Sequence, residues 1–259
     1  MKLEGRVALV TGSGRNLGRA IAIAFAREGA SVMVNGLRDQ EKVQEVVDVI
    51  RSEGGSALPF LADVSDPVQV DRMMDAASNE FGSVDILVHN AGIRPGESML
   101  ETTLEDWRKV MAVNLDAAFI LAQRAIPGMI EKGQGSIIAM SGLAAFGVRR
   151  RGSVSVAAAK SGLIGLMRAV ARQYGPDGIR ANTIVVGSMA TDRYDQKAYL
   201  DGTPAEYIGP SHEEGMDNIP LARRGTPEEA AATCVFLAAA DSGYITGQSI
   251  HMGGGLYMA

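Results

Sequence analysis

Cysteine is almost absent from this chain: Cys234 is the only one among 259 residues. A single cysteine excludes an intrachain disulfide framework and any multi-cysteine metal site. The three histidines, His89, His212 and His251, are too widely spaced to form a short ligand motif, so no metal is expected. No unbroken apolar run reaches the roughly 18–20 residues of a membrane span. The amino terminus, Met1 to Arg6, lacks the apolar stretch of a secretory leader and enters a strand directly. A cytoplasmic protein with no membrane partner is therefore expected. Basic excess is also missing: 25 Lys and Arg stand against 30 Asp and Glu, a net charge of −5. General nucleic-acid binding needs a basic footprint and is not expected here.

What the chain does have is core-forming material, with 46% hydrophobic and 21% charged residues, which argues against general disorder. Cys234 lies in the apolar run Ala230 to Leu237, where packing is a simpler role for it than nucleophilic chemistry.

Short apolar runs alternate with longer helical patterns. Strands are expected at 6–10, 31–35, 57–61, 85–88, 136–140, 180–185 and 248–251, and helices at 17–28, 40–53, 67–81, 104–131 and 152–174. A further helix starts at Thr226-Pro227-Glu228-Glu229, where Thr226 caps, Pro227 suits the first helical position and Glu229 closes a capping box. This alternation predicts βαβ units, and strands without polar alternation predict a parallel sheet covered on both faces. No repeat, low-complexity tract or linker interrupts the pattern, so 1–259 reads as one domain. Residues 188–221, with three prolines, three tyrosines and no periodicity, read as a functional loop such as a substrate lid or as disorder.

The turn Thr11-Gly12-Ser13-Gly14-Arg15-Asn16-Leu17-Gly18 joins the first strand to the first helix. Glycines there admit a tight turn and close approach of a pyrophosphate, and the helix start offers free N–H groups and a positive dipole end. A lone glycine-rich turn is a weak signal; the strand–turn–helix context strengthens it. At the end of the second strand Asn35-Gly36-Leu37 carries no carboxylate, the group that would hydrogen-bond an adenosine ribose and repel a 2′-phosphate. Arg15 and Arg38 flank that space, either as phosphate partners or as solvated surface arginines. NADP(H) is favoured over NAD(H).

This turn resembles the Thr-Gly-x-x-x-Gly-x-Gly motif of the short-chain dehydrogenase/reductase family. Gly12 and Gly18 match, and Asn16 replaces the middle glycine, a substitution that asparagine's tolerance of positive φ makes feasible. Gly14 adds slack nearby. The resemblance runs the whole length: Asp63-Val64 look like the adenine-contacting pair, and His89-Asn90-Ala91-Gly92 like an Asn-Asn-Ala-Gly motif with His89 in first place. Asn114 matches the active-site asparagine and Ser141 the catalytic serine. Gly187 and Thr191 match the segment that contacts the nicotinamide carboxamide, with Val186 for the usual proline. The closing Gly247 to Met258 is similar to 3-oxoacyl-(acyl-carrier-protein) reductases. The resemblance implies a doubly wound Rossmann α/β fold with seven parallel strands in order 3-2-1-4-5-6-7. It also implies oxidoreductase activity on a carbonyl, alcohol or acyl thioester, and a homotetramer.

One landmark is missing. The family places a tyrosine four residues before a lysine, on one helix face. Lys160, the implied ribose-binding residue, is present, but Val156 stands at the tyrosine position and no tyrosine occurs between Ser83 and Gln173. Valine transfers no proton. Three explanations stay open: a substitute donor (Ser141, Ser155, a water on Lys160, or Tyr194, Tyr199 or Tyr207 of the loop, with His212 a remote candidate); an enoyl or dienoyl thioester substrate; or a cofactor-binding, weakly active subunit or deliberately altered variant. Arg149-Arg150-Arg151 reads as a solvated run or as a receptor for an anionic substrate arm.

Overall fold

A computed structural model describes residues 1–95, 98–146, 153–192 and 218–258. Seven strands, β1 (Val7–Val10), β2 (Ser31–Gly36), β3 (Ser56–Leu61), β4 (Ile86–His89), β5 (Gly135–Gly142), β6 (Ile179–Val186) and β7 (Ser249–Met252), form one parallel sheet in the order β3-β2-β1-β4-β5-β6-β7. The helices are α1 (Asn16–Arg27), α2 (Gln40–Ser52), α3 (Pro67–Phe81), α4 (Leu104–Met111), α5 (Ala117–Lys132), α6 (Val154–Tyr174) and α7 (Pro227–Ala238). The expected Rossmann architecture and strand order are found, with element ends moved by one to two residues.

Side chains alternate across a strand, and the two cores divide accordingly. Ala8, Val10, Val88, Ile138 and Met140 pack under α1, α2 and α7. Val7, Leu9, Leu87, Ile137 and Ala139 pack under α3, α5 and α6. The strands therefore read as continuous apolar runs because both faces are covered. By the same alternation His89 and Ser141, next at the carboxyl ends of β4 and β5, face the α5–α6 layer. Cys234 is fully buried, its sulfur 3.9 Å from that of Met140, and burial pushes its thiol pKa up. It is a packing residue.

Two expectations are corrected. The helix expected over 104–131 is not uniform: a π turn at Ala112–Asp116 separates α4 from α5. Among the described residues, two continuous helical stretches, Leu104–Lys132 and Val154–Asp177, are by length and composition alone apolar enough to span a bilayer. Counting unbroken runs misses this because single charges interrupt them. Their apolar residues include much of the core beside the sheet. The expected capping box at Thr226 and Glu229 forms in both directions.

Candidate active site

The turn after β1 is shaped by side chains from two neighbouring strands. Asn35, 1% exposed, accepts from Gly12 N–H at 3.1 Å and donates to backbone carbonyls of Gly36 and Ala62. Asn90 donates to the carbonyls of Thr11 and Gly12, each at 3.0 Å, while Thr11 Oγ1 accepts from Asn90 and Ala91 N–H. Gly12 has φ 61° and lies against Ala91, and a Cβ on Gly18 would stand 2.3 Å from the Gly12 carbonyl oxygen. Asn16 adopts φ 52°, as its place in the motif requires.

A dinucleotide fits this cradle on its own chemistry. Arg15 occupies the N-cap of α1 without a capping side chain, and the first turn carries no acid. By contrast α2, α3, α4, α6 and α7 are capped by Asp39, Asp66, Thr103, Ser153 and Thr226. The free N–H groups at the start of α1 leave room for an anion. Arg15 and Arg38 are both exposed. Asp39 is committed to the α2 cap; the Lys42 amide and ammonium hold its carboxyl below the usual range, with a smaller effect from Arg15. At the end of β3, Val64 is buried and Asp63 accepts from Ser65 N–H and Oγ.

Gly187 donates to the Met252 carbonyl and abuts the backbone of Gly253 so closely that a Cβ would lie 2.7 Å from its Cα. Thr191 lines a cavity of about 730 Å³ together with Gly14, Arg15 and Asn16.

Four residues from four elements, His89 of β4, Asn114 of the π turn, Ser141 of β5 and Lys160 of α6, come together at the carboxyl ends of β4 and β5. Asn114 sits in the π turn, fully buried, and its side chain grips Ile93 twice, accepting from N–H and donating to the carbonyl at 2.8 Å each. Its backbone carbonyl lies 3.3 Å from His89 Nε2. A Cβ on Gly92 would stand 3.1 Å from Asn114 Oδ1 and 3.6 Å from Lys160 Nζ, so the three converge. Ser141 Oγ donates to the Lys160 carbonyl at 2.9 Å, leaving its lone pairs free. Lys160 Nζ donates to the Met140 carbonyl at 2.7 Å. Burial, aided by the charge of Arg94, lowers the Lys160 pKa to about 7. His89 falls to about 3 through burial and then Lys160's charge, so it is neutral, with its proton on Nε2 facing a carbonyl that only accepts.

Val156 lies one turn before Lys160 and is 3% exposed. Ser155 is buried beside it, its hydroxyl 2.9 Å from that of Ser153. Among the described residues no phenol occupies α6 above Lys160. Arg149–Arg151, Tyr194, Tyr199, Tyr207, His212 and most of the expected lid lie outside the described residues.

Sequence reasoning missed several participants. Asn35 appeared as a ribose-side position and instead braces the turn from below. Phe146, His251 and Tyr257 cluster at the carboxyl end of β7 with ring centroids 4.6–5.2 Å apart, His251 stacked on Tyr257 and Phe146 tilted against both. Register pairs Ser141 with Val185 and Val185 with His251, which puts Ser141 and His251 on one sheet face. Only tertiary pairing reveals this.

The chain is similar to known proteins along nearly its whole length. Residues 12–257 match the family model described as enoyl-(acyl carrier protein) reductase. A 3-oxoacyl-(acyl-carrier-protein) reductase of Staphylococcus aureus is 36% identical over 251 residues, 97% of this chain and 98% of that one. One from Vibrio cholerae is 35% identical over 259 residues, covering all of both chains. A short-chain type dehydrogenase/reductase of Mycobacterium marinum superposes with a TM-score of 0.89 at 33% identity, covering 100% of this chain and 98% of its own.

Proposed function

Because this chain belongs to the short-chain dehydrogenase/reductase family and is an oxidoreductase, we propose that it interconverts a carbonyl and an alcohol with NADP(H), taking a 3-oxoacyl thioester or similar substrate. The observation that carries this is the buried Lys160 at the carboxyl ends of β4 and β5, in a fold where the start of α1, after β1, is left uncapped.

The nicotinamide, when bound, supplies the hydride. The chain's own residues do the rest. The start of α1 receives the pyrophosphate, and Arg15 and Arg38, with no acid at the end of β2, receive a 2′-phosphate. Lys160 holds the ribose and Thr191 the carboxamide. Asn114 pins Ile93 and so fixes the wall beside Gly92. Carbonyl reduction also needs one proton at the oxygen. Val156 has none to give, and the acid–base role passes to Lys160, which exchanges a proton near neutrality directly or through a water or hydroxyl it holds. Ser141, its own proton donated to Lys160 O, offers lone pairs to that water or to the substrate hydroxyl. Residues 188–221 serve as the substrate lid.

A second reading is favoured by the apolar Val156 and by the description of the matching family model: reduction of an enoyl or dienoyl thioester, where the hydride goes to carbon. A third is a cofactor-loaded partner with little turnover. Oxidation of NADPH and NADH with a 3-oxoacyl thioester, a small ketone and an enoyl thioester separates them. We expect turnover of the oxo substrate with NADPH preferred. Turnover of the enoyl substrate alone supports the second reading, and tight binding without turnover the third. Arg38→Asp is expected to weaken NADPH binding about tenfold and spare NADH, since one charge-assisted contact is worth about 1.5–3 kcal/mol when well formed and less when exposed.

A cytoplasmic homotetramer completes the proposal. Leu104, Phe119 and Ile130 leave apolar surface exposed on α4 and α5, where a second copy would pack with α6. Light scattering at micromolar concentration tests it.

A further inference from the structure

Asn16 stands where the family motif has glycine, and it does two things at once. Its backbone takes the left-handed φ of 52° that glycine would take. Its side-chain oxygen also accepts a hydrogen bond from Asp192 N–H at 3.0 Å, across 176 residues of sequence. A glycine satisfies the first requirement and cannot supply the second.

The receiving segment is tied at successive points. Gly187 N–H donates to Met252 O at 2.9 Å, Ser188 O accepts from Gly225 at 3.1 Å, and Ala190 N–H donates to Gly225 O at 2.8 Å. The Met189–Gly225 pair forms a parallel bridge. These ties fix 187–190 to β7 and to the approach to α7, leaving Thr191 beyond the last of them. Beyond Thr191, the chain is tied by the bond from Asp192 N–H to Asn16. Asn16 and Thr191 line the same cavity.

We propose that Asn16 is a positioning residue for Thr191, setting the distance between the phosphate cradle and the part of the site that holds the nicotinamide end of the cofactor. This rests on the role given to Thr191 under the proposed function. Asn16 acts through the Asp192 amide and not by touching the nicotinamide.

The test uses the full-length protein and two probes: NADPH, and 2′-phospho-ADP-ribose, which lacks the nicotinamide. Asn16→Gly keeps the backbone free to adopt its φ and removes the acceptor. It is expected to weaken NADPH binding about 3- to 10-fold, the loss of one ordinary hydrogen bond, with 2′-phospho-ADP-ribose affinity unchanged. In a Thr191→Ala background Asn16→Gly should add no further loss, because residues acting through one contact are not additive. Equal weakening of both probes overturns the proposal, since Asn16 would then act on the phosphates. Additive losses in the double variant overturn it too. If Thr191→Ala leaves NADPH binding intact, the role of Thr191 fails and the proposal falls with it, while cofactor binding stands. If neither NADPH nor NADH binds, the proposed function itself fails. Melting temperatures within about 2 °C of the parent establish that Asn16→Gly remains folded; a larger fall would make Asn16 a stability residue and overturn the proposal.

Discussion

A lysine ammonium moved from water into the wall between α6 and β5 loses most of its hydration, and one hydrogen bond to the Met140 carbonyl does not replace it. Lowering this group from 10.5 to about 7 means that below neutrality its charge costs the fold on the order of 5 kcal/mol. The sign follows from proton linkage. Between pH 7 and about 10 the unfolded chain binds a proton at Lys160 that the folded chain does not, so this residue's contribution makes the protein more stable as pH rises through that window. Lys160→Met should raise the melting temperature by several degrees at pH 7, and the gap from the parent should close towards pH 10; thermal scans across that range check it. The same variant should lose activity. If Lys160 carries the reaction proton, kcat/KM for carbonyl reduction falls as pH rises through about 7. Val156→Tyr restores a phenol one turn from Lys160 and is expected to raise 3-oxoacyl reduction by 10-fold or more, up to the 10²–10⁴ typical of a positioned acid. A steady-state assay with unchanged NADPH affinity is the measurement.

At the scale of elements, the cradle depends on how closely α1 approaches the ends of β1 and β4. Gly18→Ala would put a methyl 2.3 Å from the Gly12 carbonyl and 2.7 Å from Asn90 Nδ2, both already committed to the turn. A cost of about 2–3 kcal/mol and loss of nucleotide binding are expected, read by chemical denaturation and fluorescence titration. This requirement was visible in the sequence as a motif glycine, as were β1 to β7, because uninterrupted Val, Ile, Leu and Ala runs leave little alternative to a doubly covered strand. The break in the long helix was not. Its π turn is held by Asn114 gripping Ile93 and by His89 meeting the Asn114 carbonyl, partners 21 and 25 residues away that no local periodicity encodes. Asn35 is a similar case. Its position at a strand end suggested the cofactor, while four backbone partners, on Gly12, Gly36, Phe60 and Ala62, decide what it does. Asn16 was legible in φ and illegible in its bond to Asp192.

For the whole molecule, a ligand that binds only the folded chain raises its stability in proportion to the logarithm of its concentration. NADPH at 100 times its dissociation constant should add about 2.7 kcal/mol and roughly 5–10 °C. NADH at the same concentration should add less if Arg15 and Arg38 read a 2′-phosphate. The covered sheet has another use. Cys234 is the chain's sole thiol and lies wholly inside, on the buried face of α7 against Met140. A colourless disulfide reagent that turns yellow on reaction should therefore develop colour only slowly with the native protein and release one equivalent per chain at once in denaturant. Under native conditions the rate of colour then times how often α7 lifts from the sheet, giving the molecule an internal stopwatch without any added label.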